Sequence, residues 1–568
     1  MGLDPRQLAA SVLTLLVAAS AAGAIVYEQR RSRGRTRRAW YVVLLGCAIV
    51  AMASWFRFGD LHAVFVDADG SADHGPSRRK IERHQPLHFH EFVHYYVGSK
   101  YFRELGYLGL YDCLTLADQE IAREDAVPPR VSGYVRDLDD VLTDKPYEAA
   151  LAHCRDDLRP RFSPERWDAF KHDVRELQRL APDGWWTGVV GDAGFNPPPS
   201  WVAFASVVSN AIPIRAGAVP TYLLSTSLDL ALLALAFAGL RRWLGTTAAT
   251  LAVVYFGGSF ISSYGWNGGA FLRFTWVTSV ILGLAAMKRE RWALAGALLG
   301  AAICDRIFPA GFAAGAALAL LARSAREGRD RRDLARFLGG MGAVVAVMVV
   351  VSVAAFGVSS WVVFFSRILR HGDVYYVMHI GLKKVLTFRD WVYHQNFHGH
   401  EGMIRFHDWN LRLRQTWAST ALVARPLQAA AAVGVAVAAT RLRPQEAALL
   451  AGVVFMYAFN LPANYYYVVL VLVPAVLLYR AATARGAWER GLEYAALVAF
   501  NGFWMTTLLA VHLANDDIVY DYYICLALLV FLVAWIGAWI AAGRAAQPRR
   551  VPAPGRPGDE PRAGLALD

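Results

Sequence analysis

Apolar residues run in long blocks, separated by short arginine-rich connections, and that alternation dominates the chain. Blocks of this length, coiled as helices, match the hydrocarbon core of a bilayer, about 30 Å thick. They predict helices near 8–27, 40–56, 219–240, 246–263, 270–287, 291–304, 307–322, 336–356, 417–440, 446–461, 465–480, 492–512 and 522–543. The expected fold class is therefore an all-α polytopic membrane protein with about 13 transmembrane helices. The same pattern divides the chain into two N-terminal helices (1–56), a large loop (57–218), a central bundle (219–356), a second loop (357–416), a C-terminal bundle (417–543) and a tail (544–568) rich in Pro, Gly and charge. Only Arg6 precedes the first block and the arginines follow it, which favours a retained helix with its N-terminus outside.

The polar connections fix an expected sidedness. Placing 28–39 in the cytoplasm also puts Arg241–Arg242, 288–291, 323–336, 441–443, 480–490 and the basic tail there. All strongly basic connections then share one face, as positive-inside topology requires. The loops 57–218 and 357–416 fall on the outer face of a plasma (bacterial inner) membrane, spanned in many passes. Within the first, 163–180 has apolar residues at helical spacing behind Ser163 and Glu165, an ordinary helix start. The proline-broken stretch 196–214 suits a segment lying on the membrane or re-entering it. The run 291–322 is interrupted by Asp305, Arg306 and Pro309, which predicts a hairpin with the ion pair at its outer tip. Such a pair is a functional candidate by default, and a structural pair that snorkels to the surface is the alternative.

Composition narrows the class further. Charged residues make up 18% and hydrophobic ones 56%, which excludes a string of soluble domains. The net charge of +12 sits in the connections rather than on one face, so no nucleic-acid partner is expected. Cys47, Cys304 and Cys525 fall in apolar blocks, as small buried side chains do. Cys113 and Cys154 both fall in the first loop, where a disulfide between them is open.

Chemistry concentrates in 84–113, HQPLHFHEFVHYYVGSKYFRELGYLGLYDC. It holds a literal HExxH, His90-Glu91-Phe92-Val93-His94, which on a helix could bind zinc with Glu91 as base; Glu104 is a candidate third ligand. His84 and His88 add further nitrogens, and an aromatic interfacial helix is the structural alternative. In the second loop, His394, His398, His400 and His407 accompany Asp, Tyr and Trp, a composition suited to acceptor binding.

The same segment, an acidic residue before two tyrosines and then GSKYFRELGYLGLY, resembles the first outer loop of GT-C glycosyltransferases, especially their polyprenyl-phosphate-mannose and arabinose branches. NPPPSWV (196–202), ALLGAAICDRIFPAGF (297–312) and FNLPANYYYVVLVLVPAVLLY (459–479) resemble further segments of that family in the same order. The resemblance implies a GT-C-like membrane fold whose large first outer loop contains amphipathic helices. It implies transfer of a hexosyl or pentosyl group from a polyprenyl-phosphate donor to a glycan, lipid or protein acceptor, with an outer-loop carboxylate as base. Glu91 matches that carboxylate and Asp60 is its rival, with Asp67 and Asp69 behind. The chain departs from the family, whose members commonly carry Asp close after the preceding helix. The donor phosphate would meet Arg306, Arg273 and Lys100, with Lys383 and Lys384 as weaker candidates. Tyr95, Tyr96, Asn464 and Tyr465 would line the substrate, and a divalent cation, Mg or Mn, could assist. The alternatives are a zinc metallopeptidase using His90, Glu91 and His94, or a non-catalytic transporter or lipid-binding protein. No internal repeat links the two halves in support of a transporter.

Overall fold

The computed structural model describes residues 12–542, apart from 14–15, 18, 25, 28–33, 60, 68–78, 132, 182, 193, 215–218, 260, 328–330, 394–405, 485 and 514–516. Asp60, Asp69, His394, His398, His400 and the tail 544–568 lie outside the described residues. Every apolar block from 40–56 onward falls on a helix. Helix α1 (Gly34–Trp55) leads to an antiparallel ribbon of β1 (His62–Asp67) and β2 (Arg79–Gln85). The 57–218 segment continues with a helical rod over 89–100, then α2 (Leu110–Glu124), α3 (Pro164–Leu180) and α4 (Pro199–Ala211). The central bundle comprises α5 (Val219–Leu244), α6 (Thr246–Gly258), α7 (Thr275–Lys288), α8 (Trp292–Asp305), α9 (Ala310–Glu327) and α10 (Arg331–Phe356). Next come α11 (Val358–His371), α12 (Leu382–Tyr393) and α13 (Phe406–Ser419), so the described part of 357–416 is largely helical rather than an open loop. The chain ends with α14 (Ala421–Ala439), α15 (Pro444–Phe459), α16 (Leu472–Thr483), α17 (Ala487–Leu513) and α18 (Asp517–Ala541).

Among the described residues, six segments are long and apolar enough to cross a membrane: Arg38–Trp55, Val219–Leu244, Arg331–Phe356, Ala421–Ala439, Asn464–Thr483 and Val519–Ala541. This is the architecture of a helical, multi-pass membrane protein. Helices α6, α7, α8 and α15 are apolar but shorter. The class is all-α, about 81% helical, and a second short ribbon pairs Tyr134–Arg136 with Asp144–Pro146.

Two apolar cores form. One is built by the bundle helices, through residues such as Leu251, Val254, Leu284, Leu299 and Leu477. Small residues let these helices approach closely: a Cβ on Gly296 of α8 would stand 1.9 Å from the Phe337 carbonyl of α10, and one on Gly340 would stand 2.0 Å from that of Ala293. The second core lies in the 57–218 segment, around Tyr101, Tyr111, Trp167, Phe170 and Trp186. Helix α3 starts there because the Ser163 hydroxyl accepts the Arg166 N–H at 3.2 Å and Pro164 occupies the first turn. Cys113 and Cys154 form a disulfide, tying α2 to the helical stretch over 147–158. Arg367 of α11 fastens the second segment to the first, donating to the carbonyls of Leu138 (2.9 Å), Tyr107 (3.2 Å) and Phe195 (2.9 Å).

Candidate active site

The site is assembled where the 86–100 stretch docks on the turn preceding α7. The Tyr264 hydroxyl donates to the Pro86 carbonyl at 2.7 Å, and the His88 N–H donates to the Gly269 carbonyl at 3.0 Å. Gly269 has φ +69°, and a Cβ there would lie 1.8 Å from the Pro86 oxygen, so only glycine permits the contact. Three residues on, Leu272 also adopts a left-handed φ of 53°, rare for a branched side chain and found where a site over-determines its backbone. Arg273 is the next residue. Its N–H and that of Phe274 donate to Asp229 of α5 at 3.3 and 3.2 Å, so a carboxylate from another helix caps the start of α7.

That turn delivers the Arg273 guanidinium to Glu91. Nη2 of Arg273 lies 2.5 Å from Oε2 of Glu91. The arginine is 4% exposed, and its Nε and Nη1 make no hydrogen bond among the described residues. Its carbon Cζ lies over the Tyr465 ring at 4.2 Å and over Tyr95 and Tyr466 at 5.8 Å. Arg306 approaches the same aromatic cluster from α8, over Tyr95 at 5.3 Å and Trp201 at 5.5 Å. Its Nη1 donates to the Asp305 carbonyl (2.8 Å) and carboxylate (2.9 Å), and Thr275 of α7 donates to the same carboxylate. Asp305 and Arg306 stand between the end of α8 and the start of α9, and both are buried there.

The remaining motif segments close on this pair. Ser200 donates to the Cys304 carbonyl at 2.6 Å, joining the start of α4 to the end of α8. Trp201 meets Tyr95 edge-to-face at 5.5 Å, while Phe308 meets Tyr466 at 5.0 Å and Trp276 at 4.9 Å. Asn464, next to Tyr465, is fully buried, and its side-chain nitrogen and oxygen have no hydrogen-bond partner among the described residues. Buried polar groups are nearly always satisfied, so the orphaned donors of Arg273 mark a place for polar ligand atoms. Glu91, Arg273, Arg306, Tyr95 and Tyr465 thus belong to one region, drawn from four distant stretches of chain.

No family model, curated protein or solved structure matches the chain.

Other expected residues stand elsewhere. Lys100 is buried in an ion pair with Asp173 (2.5 Å), which also accepts from Tyr101 at 2.7 Å, so it faces the core of the 57–218 segment rather than the arginines. Tyr96 points the same way, donating to the Ile212 carbonyl at 2.6 Å and stacking on Phe92. Lys383 pairs with Asp373 at 3.5 Å and Lys384 with Asp521 at 3.7 Å. Glu104 binds Arg166 at 2.9 Å and is not a third ligand to the HExxH. The His90 and His94 rings stack 6.3 Å apart, and Nε2 of His94 is bonded to the Tyr111 hydroxyl at 2.9 Å. Among the described residues, no group of three or more His, Cys, Asp and Glu could hold a metal ion. Burial pushes His88 and His90 below the ordinary imidazole range, the latter against the pull of Asp192.

The sequence reading missed Asp229, Trp201 and Tyr466. Asp229 carried a usable signal, a lone carboxylate inside an apolar block.

Proposed function

We propose that the protein is a membrane glycosyltransferase that moves one sugar from a polyprenyl-phosphate donor to an acceptor hydroxyl on the outer face of the plasma membrane. The observation that carries this reading is the Glu91–Arg273 ion pair with Arg306 beside it across Tyr95. In the reaction an acceptor oxygen bonds to the anomeric carbon while the bond from that carbon to the phosphate oxygen breaks, its electrons leaving with the phosphate. Glu91 takes the hydroxyl proton and loses its charge as the lipid phosphate passes from monoanion to dianion. Arg273 touches Glu91 beforehand and has donors to spare, so it can follow the negative charge from carboxylate to phosphate. Arg306 supplies the second positive charge, and its planar fork suits phosphate oxygens. The aromatic walls Tyr95, Tyr465 and Trp201 suit a sugar ring between them.

In this reading the four shorter apolar helices, α9, α17 and the first apolar block (8–27) also cross the membrane, giving thirteen passes with the six long ones. The basic connections then lie inside and the 57–218 segment outside. The Cys113–Cys154 disulfide supports that placement, since disulfides persist in oxidising compartments.

The test uses the full-length protein in nanodiscs, offered polyprenyl-phosphate pentoses and hexoses with hydroxyl acceptors. Glu91→Gln should slow transfer at least about a hundredfold, the usual scale for a lost general base, and zinc chelation should leave it unchanged. A structure with polyprenyl phosphate bound on the inner face, away from Arg273 and Arg306, would defeat the proposal.

A further inference from the structure

A second feature of the membrane boundary is independent of the Glu91 site. Helix α10 ends at Gly357, whose φ of +78° turns the chain sharply into α11. The Trp361 indole folds back and donates to Ser352 Oγ at 3.0 Å, which fixes the angle between the two helices. One face of α11 is occupied, with Phe364 buried in the extramembrane core and Arg367 bound to three carbonyls. Its other face carries Val358, Val362, Phe365 and Leu369, spaced by four, three and four residues and all exposed. That stripe continues the exposed apolar flank of α10, Val347, Val350 and Val351, on a helix long and apolar enough to cross a membrane. An amphipathic helix leaving the end of a membrane helix in this way lies in the interface, apolar stripe toward the acyl chains.

Beside α11 a groove of about 800 Å3 opens between the α10–α11 junction and the extramembrane residues 102–109 and 153–161. Its walls are apolar at Leu105, Leu108, Phe356 and Val363. Its charged lining is cationic, Arg103, Arg161 and His153, with the neutral Ser359 and Ser360 opposite. Arg103 is exposed and makes no hydrogen bond or ion pair among the described residues. Among the described residues Arg161 uses only Nε, on the Asp157 carbonyl at 3.2 Å. His153 is hydrogen-bonded to the buried Asp112 carboxylate at 2.5 Å, which raises its pKa and favours its charged form. Asp112 is itself balanced by Lys145 at 3.0 Å.

We propose that this groove holds the phosphate-bearing headgroup of an anionic membrane phospholipid, with α11 seated beside it in the interface. Apolar walls continuous with a membrane-facing stripe fit the glycerol and upper acyl carbons, and unengaged guanidinium donors fit the phosphate. None of the groove residues belongs to the Glu91–Arg273–Arg306 cluster.

Native mass spectrometry of the full-length protein, titrated with phosphatidylglycerol and with phosphatidylcholine, tests this. Phosphatidylglycerol should bind at least about tenfold tighter. R103Q/R161Q should weaken it roughly 25-fold, about fivefold per basic residue near a membrane surface, with an unchanged melting temperature. Phe365→Asn should weaken both lipids while keeping the preference between them. E91Q should retain the full preference, which separates this site from the proposed donor site. Equal binding of the two lipids, or a preference that survives R103Q/R161Q, would overturn the proposal. Displacement of phosphatidylglycerol by millimolar glycerol 3-phosphate would also overturn it, since a soluble phosphate site would then explain the cations.

Discussion

The carboxylate of Asp229, set inside an apolar helix, accepts the backbone N–H of Arg273 at 3.3 Å and so holds the arginine that faces Glu91. The bond acts on main chain, so no other side chain of the turn can replace it. Asp229→Ala leaves two buried N–H groups without their acceptor, costing about 1–3 kcal/mol for each orphaned donor. The expected outcome is a lower melting temperature and a transfer kcat that falls more than KM changes, because Arg273 loses its position rather than its chemistry. Asp229→Asn keeps one acceptor oxygen where the two N–H groups use two, so it should recover only part of both. Equal kinetics for the Ala and Asn variants would remove Asp229 from any positioning role.

Glu91 and Arg273 should also be energetically coupled. Each single substitution leaves a partner charge in a dry site, whereas the double substitution removes both charges. Glu91→Gln and Arg273→Gln should each cost about 10²–10⁴ in transfer rate, and together much less than the product. A double-mutant cycle on kcat/KM reads this directly. Strict additivity would mean the two residues do not share the migrating charge.

Lys100 separates a structural cation from a functional one. It is buried against Asp173, and Asp173 is 2% exposed. Lys100→Met strands that carboxylate with the Tyr101 hydroxyl as its remaining hydrogen-bond donor, a loss of about 3–5 kcal/mol for a broken buried pair. Lys100→Met with Asp173→Asn should regain stability. Per folded molecule, transfer by the single variant should match the parent. A selective loss of activity at unchanged melting temperature would return Lys100 to the phosphate site.

Lys100 also shows where sequence reasoning stops. The apolar blocks gave the positions of the bundle helices, because burial in lipid and in the core selects the same residue types. The convergence of Glu91, Arg273, Arg306, Tyr95 and Tyr465 was legible because each is a polar or aromatic residue that an apolar neighbourhood must justify. Which face of the 89–100 rod meets the arginines was not legible. The rod contains a π-turn over Val93–Val97, and one wide turn rotates everything after it relative to a regular helical count. Tyr95, one turn after Glu91, reaches Arg306, while Tyr96 and Lys100 face the core of the 57–218 segment. The role of Asp229 was hidden for a different reason: its partners are backbone N–H groups, which a sequence does not display. The ribbon over 62–85 was missed because its two strands are short and separated by a polar stretch.

The docking of the 86–94 stretch makes the site sensitive to acid. His62 donates from Nε2 to the Gly268 carbonyl at 2.8 Å and meets the His88 ring edge-on at 5.1 Å. Burial pushes the His62 pKa down to about 4, against the carbonyl bond and with help from Arg57. A base whose folded pKa lies below its unfolded value stays neutral in the fold while the unfolded chain takes up a proton. Its contribution is complete above about pH 6.5 and is lost as pH falls toward 4, roughly 3 kcal/mol in all. His88 and His90, both depressed by burial, add losses of the same sign. Melting temperature measured from pH 8 to pH 4 should fall across that window. His62→Gln, which can still donate to Gly268 but cannot titrate, should show a shallower fall with the remaining slope due to the other two histidines. Parallel curves for the parent and the variant would show that His62 does not sense the acid.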